Sequence, residues 1–202
     1  MDLGIRGKVA LVAASSKGLG RAIAEELAAE GANLVMCARG ADALRAAADS
    51  IRKSSGVTVV EVAADVSEQG GLDRVTGTAL EKFGKVDILV TNSGGPPSGT
   101  FESLNAEAWE SATRLLLFSA VGLARAVLPG MKERKWGRIL NVTSIAVKQP
   151  IDGLMLSNSL RAAVTGFAAD KSGESRRRAS VLCRSRASAS SESASRTRTG
   201  GP

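Results

Sequence analysis

The chain has 202 residues, 44% of them hydrophobic and 23% charged, which is enough for one domain with a sizeable core and excludes a fibrous or wholly disordered protein. The formal net charge is +7, but residues 171–202 hold eight Lys/Arg and two Glu, a balance of +6, so residues 1–170 carry only +1. The domain is therefore not a basic nucleic-acid binder, and with no apolar run as long as a bilayer span and no leader pattern over Met1–Lys8, neither a membrane partner nor export is expected.

Val9–Ala14 is short, apolar and β-branched, as expected of a strand buried on both faces. Ser15, Ser16 and Lys17 interrupt it, then Gly18 and Gly20 flank Leu19, and apolar residues recur at helical spacing through Leu19, Ile23 and Leu27 up to Gly31. Strand, glycine turn and helix make a phosphate cradle. The glycines let the backbone approach a pyrophosphate, and the helix N-terminus offers free N–H groups and a partial positive charge. A turn that merely needs two glycines is the alternative, and the strand before and helix after favour the nucleotide reading.

Further along, Asn33–Arg39 predicts a second strand and Ala41–Lys53 a helix with a stripe through Leu44, Ala47, Ala48 and Ile51. Val57–Asp65 predicts a third strand, Ser67–Phe83 a helix weakened by Gly70, Gly71 and Gly77, and Val86–Asn92 a fourth strand closed by Gly94-Gly95-Pro96-Pro97. Leu104–Lys135 predicts a long helix kinked or split at Pro129. Gly137–Ser144 predicts a fifth strand, and Leu154–Ala169 a further helix. Alternating strands and helices predict an α/β fold, a doubly wound parallel sheet of Rossmann type over residues 1–169. Cys37 and Cys183 have neither metal-ligand nor redox spacing, so no metal site and a reduced, cytoplasmic setting are expected.

Residues Leu3–Ala169 resemble the short-chain dehydrogenase/reductase family, its 3-oxoacyl-acyl-carrier-protein reductases among them. AASSKGLG (13–20) stands at the family's TGxxxGxG loop, Asp65-Val66 where the family contacts adenine, TNSG (91–94) at its NNAG, and Ser144 at its catalytic serine. The resemblance implies a nicotinamide cofactor and hydride transfer to or from a small-molecule ketone or alcohol. It implies cofactor contacts from Ser15, Ser16, Lys17, Gly18, Leu19, Gly20, Arg39, Asp65, Val66, Asn92, Ser93 and Gly94. Arg39, ending the second strand, and Lys17 supply cations near the ribose 2′ position, and no carboxylate stands there, so NADP is favoured over NAD.

The chain departs from the family at its proton-transfer residues. The family's Tyr-xxx-Lys pair aligns with Ser157, 13 residues after Ser144, and with Arg161. Its helix asparagine aligns with Leu116, and its first loop glycine with Ala14. An alkyl hydroxyl is a far weaker acid than a phenol, Arg hardly deprotonates, and the chain contains no Tyr or His. Ser144, Ser157 and Arg161 remain as candidate catalytic residues, with Asp152 and Lys148 as weaker ones. The expected function is an NADP-dependent carbonyl or alcohol oxidoreductase of impaired activity. The alternatives are a non-catalytic dinucleotide-binding module or a truncated inactive product. A homo-oligomer stays open.

From about residue 170 onward Arg, Ser and Ala dominate, with no apolar periodicity beyond Val181-Leu182. A disordered tail follows from that composition. It reads as a frameshifted end, as a basic arm or as an inert terminus. With no aromatic residues for base stacking, nucleic-acid binding is the weakest of these. The sheet is accordingly expected to stop after its fifth strand and the following helix.

Overall fold

The sheet is built outward from β1 (Val9–Val12), whose four residues are all buried. The computed structural model describes residues 3–174 and 180–182. Beyond β1 come α1 (Gly18–Ala29), β2 (Asn33–Ala38), α2 (Ala41–Ser55), β3 (Val59–Ala63), α3 (Gln69–Phe83) and β4 (Ile88–Thr91). The second half holds α4 (Ala106–Thr113), α5 (Ser119–Glu133), β5 (Arg138–Val142), α6 (Met155–Glu174) and β6 (Ser180–Leu182). The strand order is β3-β2-β1-β4-β5-β6, and every pair is parallel. This is the doubly wound order, with the direction of winding reversing between β1 and β4.

Side chains alternate across the sheet, and the two faces divide the core accordingly. Val9 and Leu11 face α3 and α5 through Leu72, Val75, Leu123 and Val127. Ala10 and Val12 face α1 and α2 through Ala24, Leu44, Ala48 and Ile51. Burial on both faces is why these strands are continuous apolar runs rather than alternating ones. At the lower edge Asp87, nearly fully buried, accepts a hydrogen bond from the Val9 amide at 3.0 Å and pairs with Lys85 Nζ at 3.2 Å.

Several expectations are corrected. A sixth strand pairs with β5 in register Leu140↔Ser180 to Val142↔Leu182, so the sheet does not stop at five. It uses Val181-Leu182, the one apolar pair of the basic tail, and gives ladder partners to a β5 edge that would otherwise stand open. Helix α6 runs to Glu174, five residues past the expected end. The tail therefore contributes structure at 170–174 and 180–182; residues 175–179 and 183–202, to which the disorder reading also applies, lie outside the described residues.

The long helix is not broken at Pro129, which lies inside continuous α5. Val127 and Met131, on either side of it, are buried in the core, and that packing holds the turn. The irregularity lies upstream, in a π turn over Arg114–Phe118 that joins α4 to α5. The run Ala106–Glu133 is 28 residues long and apolar enough by composition to cross a bilayer, contrary to the expectation from sequence. Its apolar face is occupied inside the protein: Leu116, Leu123, Val127 and Met131 are all buried.

Strand β1 ends two residues earlier than its apolar run, because Ala14 turns left-handed at φ 48°. A Cβ is disfavoured there by about 1–2 kcal/mol, whereas glycine loses more entropy on folding by about 0.5–1 kcal/mol. Ala14→Gly should therefore stabilise the protein by about 0.5–1 kcal/mol, a rise of roughly 1–4 °C in Tm by thermal unfolding. A fall in Tm would show that the alanine methyl makes compensating contacts.

Candidate functional site

The C-terminal ends of β1, β2, β4 and β5 and the first turns of α1 and α6 converge on one end of the sheet. Here the strands leave their ladders one or two residues earlier than the apolar runs suggest, and the released residues form the site.

The glycine loop is held from behind. Ser15 is fully buried, its amide donates to the Cys37 carbonyl at 3.0 Å, and its hydroxyl donates to the Val12 carbonyl at 2.9 Å. Its hydroxyl is thus committed to β1, and Ser15 shapes the loop. The neighbouring Cys37 thiol is pushed up to about 12 by burial, against a smaller opposing hydrogen bond from Ala14, and stays protonated. Gly18 opens α1 at φ 59°, with open space where a Cβ would stand. No side chain caps the helix, Lys17 included, and no acidic residue occupies its first turn. At Gly20 a Cβ would collide with the Ala14 carbonyl and the Asn92 amide. Uncapped N–H groups behind open space at Gly18 fit a phosphate group.

Asn92 bridges the two halves of the sheet, its Nδ2 donating to the Ala14 carbonyl at 3.2 Å. Arg39 extends from the end of β2, largely exposed, with Nη1 3.8 Å from Asp65 Oδ2. Burial raises the Asp65 carboxyl, but hydrogen bonds from the Ser67 hydroxyl and amide, with the Arg39 charge, outweigh it and hold the group below its ordinary value. The Val66 side chain is buried among the residues facing α3, which fixes the backbone that follows Asp65.

Of the three candidate catalytic residues, Arg161 lies at the centre. Its Nη1 donates to the Val142 carbonyl at 3.1 Å and its Nη2 to the Gly94 carbonyl at 3.5 Å, joining α6 to the ends of β5 and β4. Burial pushes its guanidinium below the usual value, and no acidic group offsets that shift. Ser144 caps the short turn Ile145–Val147, its Oγ accepting from the Ala146 amide at 3.2 Å. Its own proton remains available for a ligand oxygen. Ser157 sits one turn before Arg161 on α6, and its hydroxyl forms no hydrogen bond to another described residue. Asp152 and Lys148 are exposed on the loop. Sequence reasoning missed Thr143 and Ser119, which with Ser93, Leu116 and Arg161 line one small cavity. The sole signal was that Thr143 adjoins Ser144. Leu116 occupies the π turn, a departure from regular helix often found at functional sites.

A doubly wound parallel sheet with an uncapped glycine-loop helix at its switch point defines a Rossmann-type fold. The sequence profile of the short chain dehydrogenase family matches residues 8–184, and the chain belongs to that family. It is 35% identical over 179 residues to D-beta-hydroxybutyrate dehydrogenase of Cupriavidus necator, covering 82% of this chain and 69% of that one. It is 32% identical over 165 residues to 3-oxoacyl-acyl-carrier-protein reductase FabG of Vibrio cholerae, covering 82% and 66%. Among solved structures, L-sorbose reductase of Gluconobacter frateurii, complexed with NADPH and L-sorbose, superposes with a TM-score of 0.84 at 41% identity, covering 86% of this chain and 66% of that one. The chain thus spans about two thirds of the length of these relatives.

The Asp65 carboxyl, held low in the fold, stabilises the protein above its unfolded value of about 3.9 and loses that contribution as pH falls through the folded value. In acid titrations followed by circular dichroism, Asp65→Asn should remove part of the loss of stability below about pH 4. An unchanged acid limb would mean that Ser67 and Arg39 do not hold the carboxylate in solution.

Proposed function

We propose that the chain is an NADP-dependent oxidoreductase acting on a small ketone or secondary alcohol, with slow turnover. The observation that carries this reading is the uncapped α1 N-terminus behind Gly18, with Arg39 at the end of the adjacent strand. The Gly18–Gly20 turn would hold the pyrophosphate, Lys17 and Arg39 a 2′-phosphate, and Ser93 and Gly94 would border the nicotinamide end. Arg39 would exchange its long contact with Asp65 for that phosphate. The NADPH carried by the sorbose reductase supports the same preference. The cofactor, when bound, supplies or accepts hydride.

Ser144 donates its free proton to the substrate oxygen and polarises the carbonyl. Arg161, charged at all working pH values, orients ligands and stabilises negative charge but does not relay a proton. Ser157 offers a hydroxyl with no base beside it. The proton then comes from solvent, and the general acid–base contribution of about 10²–10⁴-fold is forgone. That loss, with Ser157 unbonded in the site, favours as second reading a module that binds dinucleotide without turnover.

NADPH should bind more tightly than NADH in fluorescence titration. Arg39→Ala should narrow the gap by about one to two decades, and equal affinities in the unmutated protein would overturn the NADP assignment. Gly18→Val should abolish NADPH binding, with a thermal melt as folding control, since a branched side chain would enter the cradle at a positive φ. NADPH oxidation against small ketones should be measurable yet slow; binding without any oxidation would decide for the non-catalytic module.

A further inference from the structure

The cavity beneath Arg161 is short of one thing, an acceptor with negative charge. It has about 10 Å³ and is partly open to solvent, so it admits a single oxygen atom from outside. No acidic residue lines it. Arg161 spends two of its five N–H groups, on the Val142 and Gly94 carbonyls, and leaves three. On the wall beside it the Thr143 hydroxyl is buried and has no hydrogen-bond partner, the only such side-chain atom among the described residues. A half-buried cation with no carboxylate beside it and a buried hydroxyl without an acceptor each leave hydrogen-bonding capacity unmet. They stand together here, at the end of the sheet that carries Ser144.

We propose that Arg161 and Thr143 form a seat for one oxygen of a ligand carboxylate, and that the substrate is a short oxo acid or the corresponding hydroxy acid. A carboxylate matches the charge of the guanidinium and the planar spread of its donors, and it can insert one oxygen while the rest of the ligand stays in the open mouth. A neutral ketone or a water would leave the arginine uncompensated. Ser157, one turn earlier on the same helix face, has a small side chain and leaves the approach unfilled by an aromatic ring. The substrate class rests on the oxidoreductase reading, but the seat itself binds without cofactor and is tested so.

The test is a calorimetric titration of the full chain with acetoacetate, with acetone as the neutral analogue lacking the carboxylate. Acetoacetate should saturate with a Kd on the order of millimolar and acetone should not. Arg161→Met should weaken acetoacetate about tenfold or more, Arg161→Lys less so, and Thr143→Val about fivefold. Should Arg161→Met fail to fold by thermal melt, Thr143→Val and the acetoacetate–acetone comparison decide alone. Equal behaviour of the two ligands, full displacement by equimolar chloride, or a folded Arg161→Met that binds like the parent would each overturn the seat. A parallel NADPH titration separates the two readings. NADPH binding without acetoacetate binding removes the seat and keeps the dinucleotide site, and the converse keeps the seat and removes the oxidoreductase.

Discussion

The hydrogen bond from Asn92 to the Ala14 carbonyl ties together everything that a ligand would touch. It crosses the point where the sheet changes its direction of winding, between β1 and β4. On one side it fixes the turn that aims the uncapped helix end. On the other it fixes the segment after β4, which in turn accepts from Arg161 through Gly94. Gly20 permits this closeness, because a side chain there would push both partners apart. The site is therefore one continuous backbone-anchored frame rather than a set of separate loops.

The chemistry of that frame is unbalanced. The part that would hold a dinucleotide is complete in kind: glycines, free amides, Lys17 in the loop and Arg39 at the end of the second strand. The part that would move a proton is not. Serine and arginine stand where the family has tyrosine and lysine, and leucine stands at the family's asparagine. Each change replaces a group that titrates or hydrogen-bonds with one that does so less or not at all. Arg161 is the exception, for it exchanges a proton-passing ammonium for a broad fixed cation.

Much of the fold was legible because buried parallel strands write themselves as apolar runs and amphipathic helices as stripes. Val9–Val12 and the stripe Leu44, Ala47, Ala48, Ile51 are cases where one physical cause sets both the pattern and the structure. Failures came where packing overrides local preference. Pro129 continues a helix because its neighbours are held in the core, and Val181-Leu182 become a strand only because β5 presents an edge. At the site, motif positions indicated which residues stand near the ligand but not where their side chains turn. The Ser15 and Val66 side chains, for example, are buried. Thr143 is signalled only by adjoining Ser144, and only its enclosure reveals an unmet hydrogen bond.

The start of β5 has a consequence for how the molecule behaves in company. The strand begins at Arg138, and β6 pairs with Leu140–Val142. Arg138 lies on this segment with its guanidinium 5.0 Å from the Trp136 ring, which also carries the Lys8 ammonium at 4.2 Å. Two cations gathered at that corner repel a second copy of the same corner. Colloidal stability at this edge therefore depends on charge and weakens with added salt.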